Sequence, residues 1–329
     1  MKKVILGCSV LATALFFASC NKDKTVAEPV QDTEFQSTKD VIYANTVAAE
    51  LEQVVAYIAE GQTATKYMAI APGSTGTITN NTSGNVLTVV FSGSVTCSDG
   101  KKRDGTIQIT KSSSPASYSA SIYHDPGFVA TVDLNNYWVD GWNIKTVNPF
   151  IVTNVSKGPL AAFSTSADKL TWTYEGKLSI ENVADVAKNM VWEGKMTKTL
   201  VNTNNVKIFP STKLLPIAWS STVVADNANL EYSGDSKGET KAGTAFTFSI
   251  SETPLVRNYA CAPDKVLGVT NNTVIVYSEW HPFIGGIANF TTGTLEPRKV
   301  DFSNEGMMDC DNAVKVTIKG VDTPVDLMK

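Results

Sequence analysis

Strict alternation of apolar and polar residues is the feature that most limits what this chain can fold into. From about residue 76 onward, apolar side chains recur at every second position, as in Leu87–Val95, Thr106–Thr110 and Val314–Ile318. Successive side chains of a strand point to opposite faces, so this period predicts strands with one buried and one wet face. The composition agrees: 37 Thr and 35 Val stand against 17 Leu, and β-branched residues favour strands.

Turn residues separate the alternating segments, often at intervals of about 12–18 residues, which is typical of consecutive hairpins. Strands with one buried face and one solvent-exposed face are typical of antiparallel sheets. The sequence therefore predicts a mainly β fold, a long antiparallel meander of hairpins that forms an extended or curved sheet over residues 76–329. The turns are Asn80 to Gly84, Asp99-Gly100, Asp125-Pro126-Gly127, Asp140-Gly141 and Asn271-Asn272.

One segment, residues 37–61, has a helical period instead. Ser37 is a candidate N-cap, Asp40 suits the first turn, and Gly61 is a natural end. We expect one N-terminal amphipathic α-helix that lays its apolar stripe on the sheet, and docking of a partner on this helix is the alternative. The stripe, with spacings of three and four, is Val41, Ala44, Ala48, Leu51, Val55 and Ile58.

The N-terminus carries an export signal. Met1-Lys2-Lys3 is basic, Val4 to Phe17 is apolar and uncharged, and residues 1–19 are predicted to be a lipoprotein signal peptide. Phe17-Ala18-Ser19-Cys20 resembles a bacterial lipobox, which implies cleavage before Cys20 and acylation of its thiol and new amine. Residues 20–36 then form the lipidated cysteine and a flexible tether. We expect attachment to the outer membrane through acylated Cys20, with the periplasmic and cell-surface sides both open.

Three cysteines remain in the predicted β domain. An exported protein permits disulfides, and Cys261 and Cys310 are the preferred pair because both lie in the C-terminal third. The alternative is three buried thiols, Cys97 included. Cysteine and histidine spacings that bind zinc do not occur in the sequence, which contains only two histidines, so no metal site and no cofactor are predicted.

A weak internal repeat lies inside the predicted sheet. Tyr174-Glu175-Gly176-Lys177-Leu178-Ser179 matches Trp192-Glu193-Gly194-Lys195-Met196-Thr197. A glycine within a strand indicates a bulge or a position covered by a neighbouring ring. The two copies are therefore expected on successive strands of one sheet.

Three segments, in order, resemble a family of Bacteroidota lipoproteins. The resemblance covers roughly residues 86–320, with Ser303 in a position where the family has glycine. The resemblance implies a location in the cell envelope and a fold class, and it assigns no activity. The segments are Cys97-Ser98-Asp99-Gly100-Lys101-Lys102-Arg103-Asp104-Gly105, which follows C-x-D-G-x-x-R-x-G, then Tyr137-Trp138-Val139-Asp140-Gly141, and last Cys310-Asp311-Asn312 through Val316-Thr317-Ile318-Lys319-Gly320, which follows C-D-N-x-(A/V)-x-V-T-I-x-G.

The charge of the chain bears on its partners. A net charge of −4 and a pI near 5.4 argue against a nucleic-acid partner, because such proteins carry a basic footprint. The sequence contains neither G-x-S-x-G nor H-E-x-x-H, and no catalytic residue is predicted.

These features predict a non-enzymatic envelope lipoprotein that binds or scaffolds an unknown protein or glycan at the membrane. A second hypothesis is a surface glycan-binding module that stacks sugars on Trp138 and Trp142, four residues apart across a turn, although the alternation around Trp138 also fits core packing. A third, less favoured, is a glycoside hydrolase with Glu175 and Glu193 as paired carboxylates.

Replacement of Cys20 with Ala removes the predicted site of acylation. We expect the Cys20→Ala protein to move from the membrane fraction to the soluble fraction, because no later segment approaches 18 consecutive apolar residues. Cell fractionation followed by blotting checks this. A variant that stays in the membranes contradicts the lipid anchor.

Overall fold

The computed structural model describes residues 32–59, 75–97, 101–112, 123, 126–156, 169–202, 228–258, 269–270, 273–274, 283–303 and 313–327. The chain divides into residues 1–33 and a compact unit, Glu34–Lys329, which is the subject below. Cys20, Cys261 and Cys310 lie outside the described residues, as do the predicted signal peptide and most of the tether. Within the described part, no helix is long and apolar enough to cross a membrane.

A single antiparallel sheet of 13 strands dominates this unit, and its strands follow one another in chain order. The predicted meander is therefore confirmed. A separate two-stranded hairpin, β10–β11, lies between β9 and β12 in the chain. The strands are β1 (Thr77–Ser83), β2 (Val86–Thr96), β3 (Lys102–Lys111), β4 (Val129–Val139), β5 (Trp142–Asn154), β6 (Lys169–Asn182), β7 (Met190–Asn202), β8 (Ala228–Glu239), β9 (Ala245–Asn258), β10 (Val269–Thr270), β11 (Thr273–Val274), β12 (Gly285–Thr292), β13 (Arg298–Asp301), β14 (Ala313–Ile318) and β15 (Val321–Asp326).

The sheet has one buried face, as the alternation predicts. Phe246, Phe248 and Ile250 of β9 are all buried, and the residues between them are not. Register shifts interrupt six of the twelve neighbouring strand pairs. Such bulges bend strands and increase their twist, which lets the buried face curve around a central element.

That element is the helix α1 (Gln36–Ala59). The prediction that Ser37 is the N-cap is wrong, because Ser37 lies within the first turn. Glu34 takes that role instead: its carboxylate accepts the backbone N–H of Ser37 at 2.9 Å and the Ser37 hydroxyl at 2.5 Å. A carboxylate at this end also complements the positive end of the helix dipole.

The sheet encloses α1 more completely than an amphipathic stripe predicts. Of the helix residues whose side chains are described, only Gln36 is exposed. The predicted apolar stripe is buried, and the polar residues of the other faces bind the sheet. Asp40 pairs with Lys241 at 3.2 Å, and Asn45 Oδ1 accepts the indole N–H of Trp192 at 3.0 Å. Tertiary partners, and not solvent, therefore meet these groups, whereas the Thr38 and Thr46 hydroxyls and Gln53 Oε1 have no partner within the described residues.

The two copies of the repeat lie side by side on β6 and β7, as expected. Gly176 is directly opposite Gly194 in the antiparallel register. A Cβ atom on Gly176 would meet the backbone of Phe150 at 2.9 Å and its ring at 3.3 Å. A Cβ on Gly194 would lie 2.9 Å from the indole of Trp192 and 2.7 Å from Ser236 Cβ. Rings cover both glycines, which explains why the repeat retains them.

Replacement of Gly194 with Ala tests this close packing. We expect the variant to lose about 1–3 kcal/mol of unfolding free energy, because the added methyl group overpacks the core. Gly285→Ala is the matched control, since its Cβ would meet only Ser303 Cβ, at 3.8 Å, and should change stability by less than about 0.5 kcal/mol. Urea denaturation measures both, and equal losses would contradict the steric explanation.

Candidate functional site

A cleft of about 290 Å³ opens between α1 and the strands β3 to β5, and we call it the helix–sheet cleft. Five aliphatic side chains form its apolar wall, and polar and aromatic groups occupy the rest of its surface. An enclosed apolar space with a few convergent polar groups is the usual form of a small-ligand site. The aliphatic residues are Val47, Leu51, Val54, Val139 and Ile144.

Strand register brings the sheet side of the cleft together. Val139 is paired with Arg103 on β3 and with Trp142 on β5, and Tyr137 is paired with Ile144. Residues directly opposite each other share a face of the sheet, so all five point toward the helix. The cleft is therefore built on rigid paired strands.

The Asp140-Gly141 turn closes the β4–β5 hairpin at the edge of the cleft. Both residues have positive φ, 49° and 84°, as tight hairpin turns require. The backbone N–H of Asp140 donates to the carbonyl of Lys102 at 2.9 Å, and the N–H of Lys102 donates to Asp140 Oδ1 at 2.8 Å. This reciprocal pair fixes the Asp140 carboxylate beside the cleft.

Four charged groups line the helix–sheet cleft and balance one another. Glu50 of the helix forms an ion pair with Lys101 of the sheet. Arg103 is buried, and its Nε–H donates to the Tyr137 hydroxyl at 3.3 Å. With Asp140, the cleft has two acids and two bases.

Poor solvation of the cleft raises the pKa of two of its groups. Burial is the main cause for Asp140, whose pKa is raised although the Lys102 N–H and the charges of Lys101 and Arg103 lower it. The pKa of Tyr43 is raised well above 10.0 by burial, and then by the nearby negative charges of Glu50 and Asp140. Both shifts mean that water solvates negative charge poorly here.

Thr46 is a helix residue on the wall of the same cleft and is only 3% exposed. Its hydroxyl oxygen is closed to solvent and has no hydrogen-bond partner within the described part of the structure. Burial of a hydroxyl without a partner is unfavourable, so this group adds a local cost to the packing of the helix.

Trp142 and Tyr43 form the aromatic side of the cleft. Their ring centroids are 5.5 Å apart and the planes are tilted by 48°. Lys241 Nζ lies 5.2 Å from the Trp142 ring centroid and 5.9 Å from that of Tyr43. The cation and the two rings are held together by cation–π attraction.

The structure corrects the idea that Trp138 and Trp142 form one stacking platform. Trp138 is paired with Asn143, and its neighbour Val139 is paired with Trp142, so the two indoles lie on opposite faces of the hairpin. Trp142 faces the cleft and Trp138 faces away. Trp172 and Trp192 are buried in the core, and the described residues contain no other tryptophan.

The carboxylates suggested for glycoside hydrolysis lie on the outer face of the sheet. Glu175 pairs with Lys195 at 2.9 Å, and Glu193 pairs with Lys177 at 3.3 Å and Lys237 at 3.2 Å. Hydrogen bonds from Lys237 and then Lys177 lower the pKa of Glu193. A general acid needs the opposite shift, so this pair does not support hydrolysis.

A shallower groove of about 780 Å³ crosses the outer face from β7 to β14. Four of its charged side chains are engaged in surface ion pairs, such as Lys319 with Glu296 at 2.6 Å and Lys299 with Glu252 at 3.7 Å. Exposed pairs of this kind contribute little energy and are screened by salt. The groove is therefore a weaker candidate for a ligand-binding site than the helix–sheet cleft.

A buried ion pair joins Glu52 to Lys198, whose side chains are 0% and 3% exposed. Tyr123 donates its hydroxyl to Glu52, and Lys198 Nζ lies 5.2 Å from the ring centroids of both Tyr123 and Trp172. Burial lowers the pKa of Lys198, although Glu52 opposes this. The pair is closed to solvent, so we assign it to positioning the helix.

Sequence reasoning did not identify most residues of the cleft. Glu50 and Thr46 lie among helix positions that are not part of the apolar stripe, and nothing local marks them. The segments quoted for the lipoprotein resemblance do contain Arg103, Tyr137 and Val139. These residues are far apart in the sequence, and only the folded structure shows that they line one cleft.

No protein-family model, curated protein or solved structure matches this chain. The chemistry of the helix–sheet cleft is therefore the basis for a function.

Metal ligands are not clustered in the part that the structure describes, where no group of three or more His, Cys, Asp or Glu side chains could hold a metal ion. Cys97 is buried, with its Sγ 3.8 Å from the carbonyl of Val95.

Replacement of Lys198 with Met tests the positioning role. The variant leaves Glu52 as a buried charge without its ammonium partner, and we expect a loss of about 3–5 kcal/mol of unfolding free energy. The double variant Glu52→Leu/Lys198→Met removes both charges and should recover much of that loss. Chemical denaturation measures both. A Lys198→Met loss below about 1 kcal/mol would show that the pair does not fix the helix.

Proposed function

We propose that this chain is a non-enzymatic lipoprotein of the bacterial envelope. Acylated Cys20 holds it at the outer membrane, and the β domain binds a partner molecule in the helix–sheet cleft. The observation that carries the binding role is the convergence of aromatic, charged and aliphatic side chains on one enclosed space.

The anchor is supported by the sequence around Cys20. A basic start, an apolar segment and the small residues Ala18-Ser19 precede the cysteine, and a polar segment follows it. Each buried methylene of an acyl chain contributes about 0.8 kcal/mol, and more than one chain is needed for stable attachment. Acylation of both the thiol and the new amine satisfies that need.

Rigidity of the cleft supports recognition of a ligand. The Asp140 hydrogen bonds, the Glu50–Lys101 ion pair and the paired strands fix the polar groups before any ligand arrives. A preorganised site loses little conformational entropy on binding, so more of the contact energy becomes affinity. Such a cleft suits a protein that captures or holds a partner at the membrane.

Val139→Trp tests whether the cleft is the binding site, because the indole would fill space between Val139 and the helix. We expect the wild-type lipoprotein, purified from its own host, to carry a bound molecule visible as extra mass in native mass spectrometry. The bound fraction should fall about tenfold or more in Val139→Trp, a loss of about 1.4 kcal/mol.

Val321→Trp on the edge strand β15 is the control, since Val321 is 48% exposed and does not line the cleft. Circular dichroism confirms that both variants fold. A wild-type protein without bound mass, or equal occupancy in the two variants, contradicts the proposal.

A further inference from the structure

We propose that the helix–sheet cleft binds one neutral sugar ring, as a free monosaccharide or as the end unit of a glycan. This inference rests on the proposed binding function and adds the chemical class of the ligand. Four properties of the cleft lead to it: its size, its balance of charge, its mixture of donors and acceptors, and its aromatic side.

Size limits the ligand to a small molecule. A volume of about 290 Å³ is at the lower end of the range for ligand sites, and it equals the liquid volume of about ten water molecules. One pyranose ring with its hydroxyl groups is of this size. A longer glycan would place only its end unit in the cleft.

Charge balance favours a neutral ligand. Glu50 and Asp140 offset Lys101 and Arg103, so neither a cation nor an anion gains a net attraction. An ionic ligand would also lose its own hydration in a space that already disfavours charge. An acyl chain is disfavoured for a related reason, because it would cover these polar groups without hydrogen-bonding to any of them.

Sugar hydroxyls suit the polar groups of the cleft because each one both donates and accepts a hydrogen bond. Carboxylates such as Asp140 accept, and ammonium and guanidinium groups donate. Hydrogen bonds to a charged group are stronger than neutral ones.

The aromatic and aliphatic walls suit the carbon face of a sugar. A pyranose ring presents C–H bonds on its flat faces and hydroxyls around its rim. Trp142 and Tyr43 form one side of the cleft, and Val47 and Leu51 belong to its apolar wall. Contact of C–H faces with rings buries apolar surface while the rim remains free for the charged groups.

The experiment uses the full-length acylated protein in detergent, with glucose, galactose and N-acetylglucosamine as neutral probes. Glucuronate and glucosamine are the anionic and cationic probes, and the corresponding disaccharides test the end-unit arm. Saturation-transfer NMR and tryptophan fluorescence report binding. We expect saturable binding of at least one neutral sugar, and about tenfold weaker binding of its charged counterpart.

One variant identifies the cleft as the site. Asp140→Asn removes the charge, keeps an oxygen for the Lys102 N–H and tolerates the positive φ. It should weaken binding about tenfold or more. Asp133→Asn is the matched control, because Asp133 is exposed on β4 and does not line the cleft.

The outcomes are distinct. Binding of monosaccharides supports a free sugar as ligand, and binding of disaccharides alone supports a glycan end. Absence of binding by every neutral probe, or equal effects of Asp140→Asn and Asp133→Asn, overturns the sugar inference. If Val139→Trp still removes a copurified molecule in that case, the proposed binding function stands and only the ligand class is wrong.

Discussion

Enclosure of a helix that carries polar residues on several sides is the constraint on which this structure depends. Glu52 has no access to water, so its charge must be met inside the protein by Lys198 and the Tyr123 hydroxyl. Asn45 is met in the same way by Trp192 on β7, and Asp40 by Lys241 in the turn between β8 and β9. Breaking one such pair costs more than its formation gains, because the other partner stays buried. These contacts therefore set the position of the helix more than they add to net stability.

The helix–sheet cleft is a consequence of that position. Apolar packing along α1 fills the centre of the sheet, whereas Glu50 pairs with Lys101 beside a space that the aliphatic residues leave open. Closing this space would bury the charges of Asp140 and Arg103 further, which desolvation opposes. The same polar groups that keep the cleft from closing are the ones available to a ligand.

The fold was largely predictable from sequence and the site was not, for one physical reason. Alternation along β9 or β14 and the stripe from Val41 to Ile58 are local patterns, and burial on one face imposes them directly. Asn45 finds its partner Trp192 at a separation of 147 residues, and no local pattern encodes that contact. Ser37 resembles a cap in sequence, but the helix begins before it, and the Glu34 carboxylate accepts the N–H of Ser37 itself. The faces on which Trp138 and Trp142 lie depend on the strand register across the turn between them. Their separation of four residues in the sequence does not determine that register.

Charged residues have different roles on the two faces of the sheet, because water screens the outer charges more than the inner ones. On the outer face, Glu193 forms ion pairs with Lys177 and Lys237 on the neighbouring strands. Water and salt weaken these pairs, so they contribute more to solubility than to the stability of the fold. Inside, the side chains of Glu50 and Lys101 are largely shielded from water, and their interaction is stronger and less screened. Because the inner charges cancel, recognition there depends on the direction of hydrogen bonds, not on attraction at a distance. A neutral molecule rich in hydroxyl groups makes the fullest use of such a site.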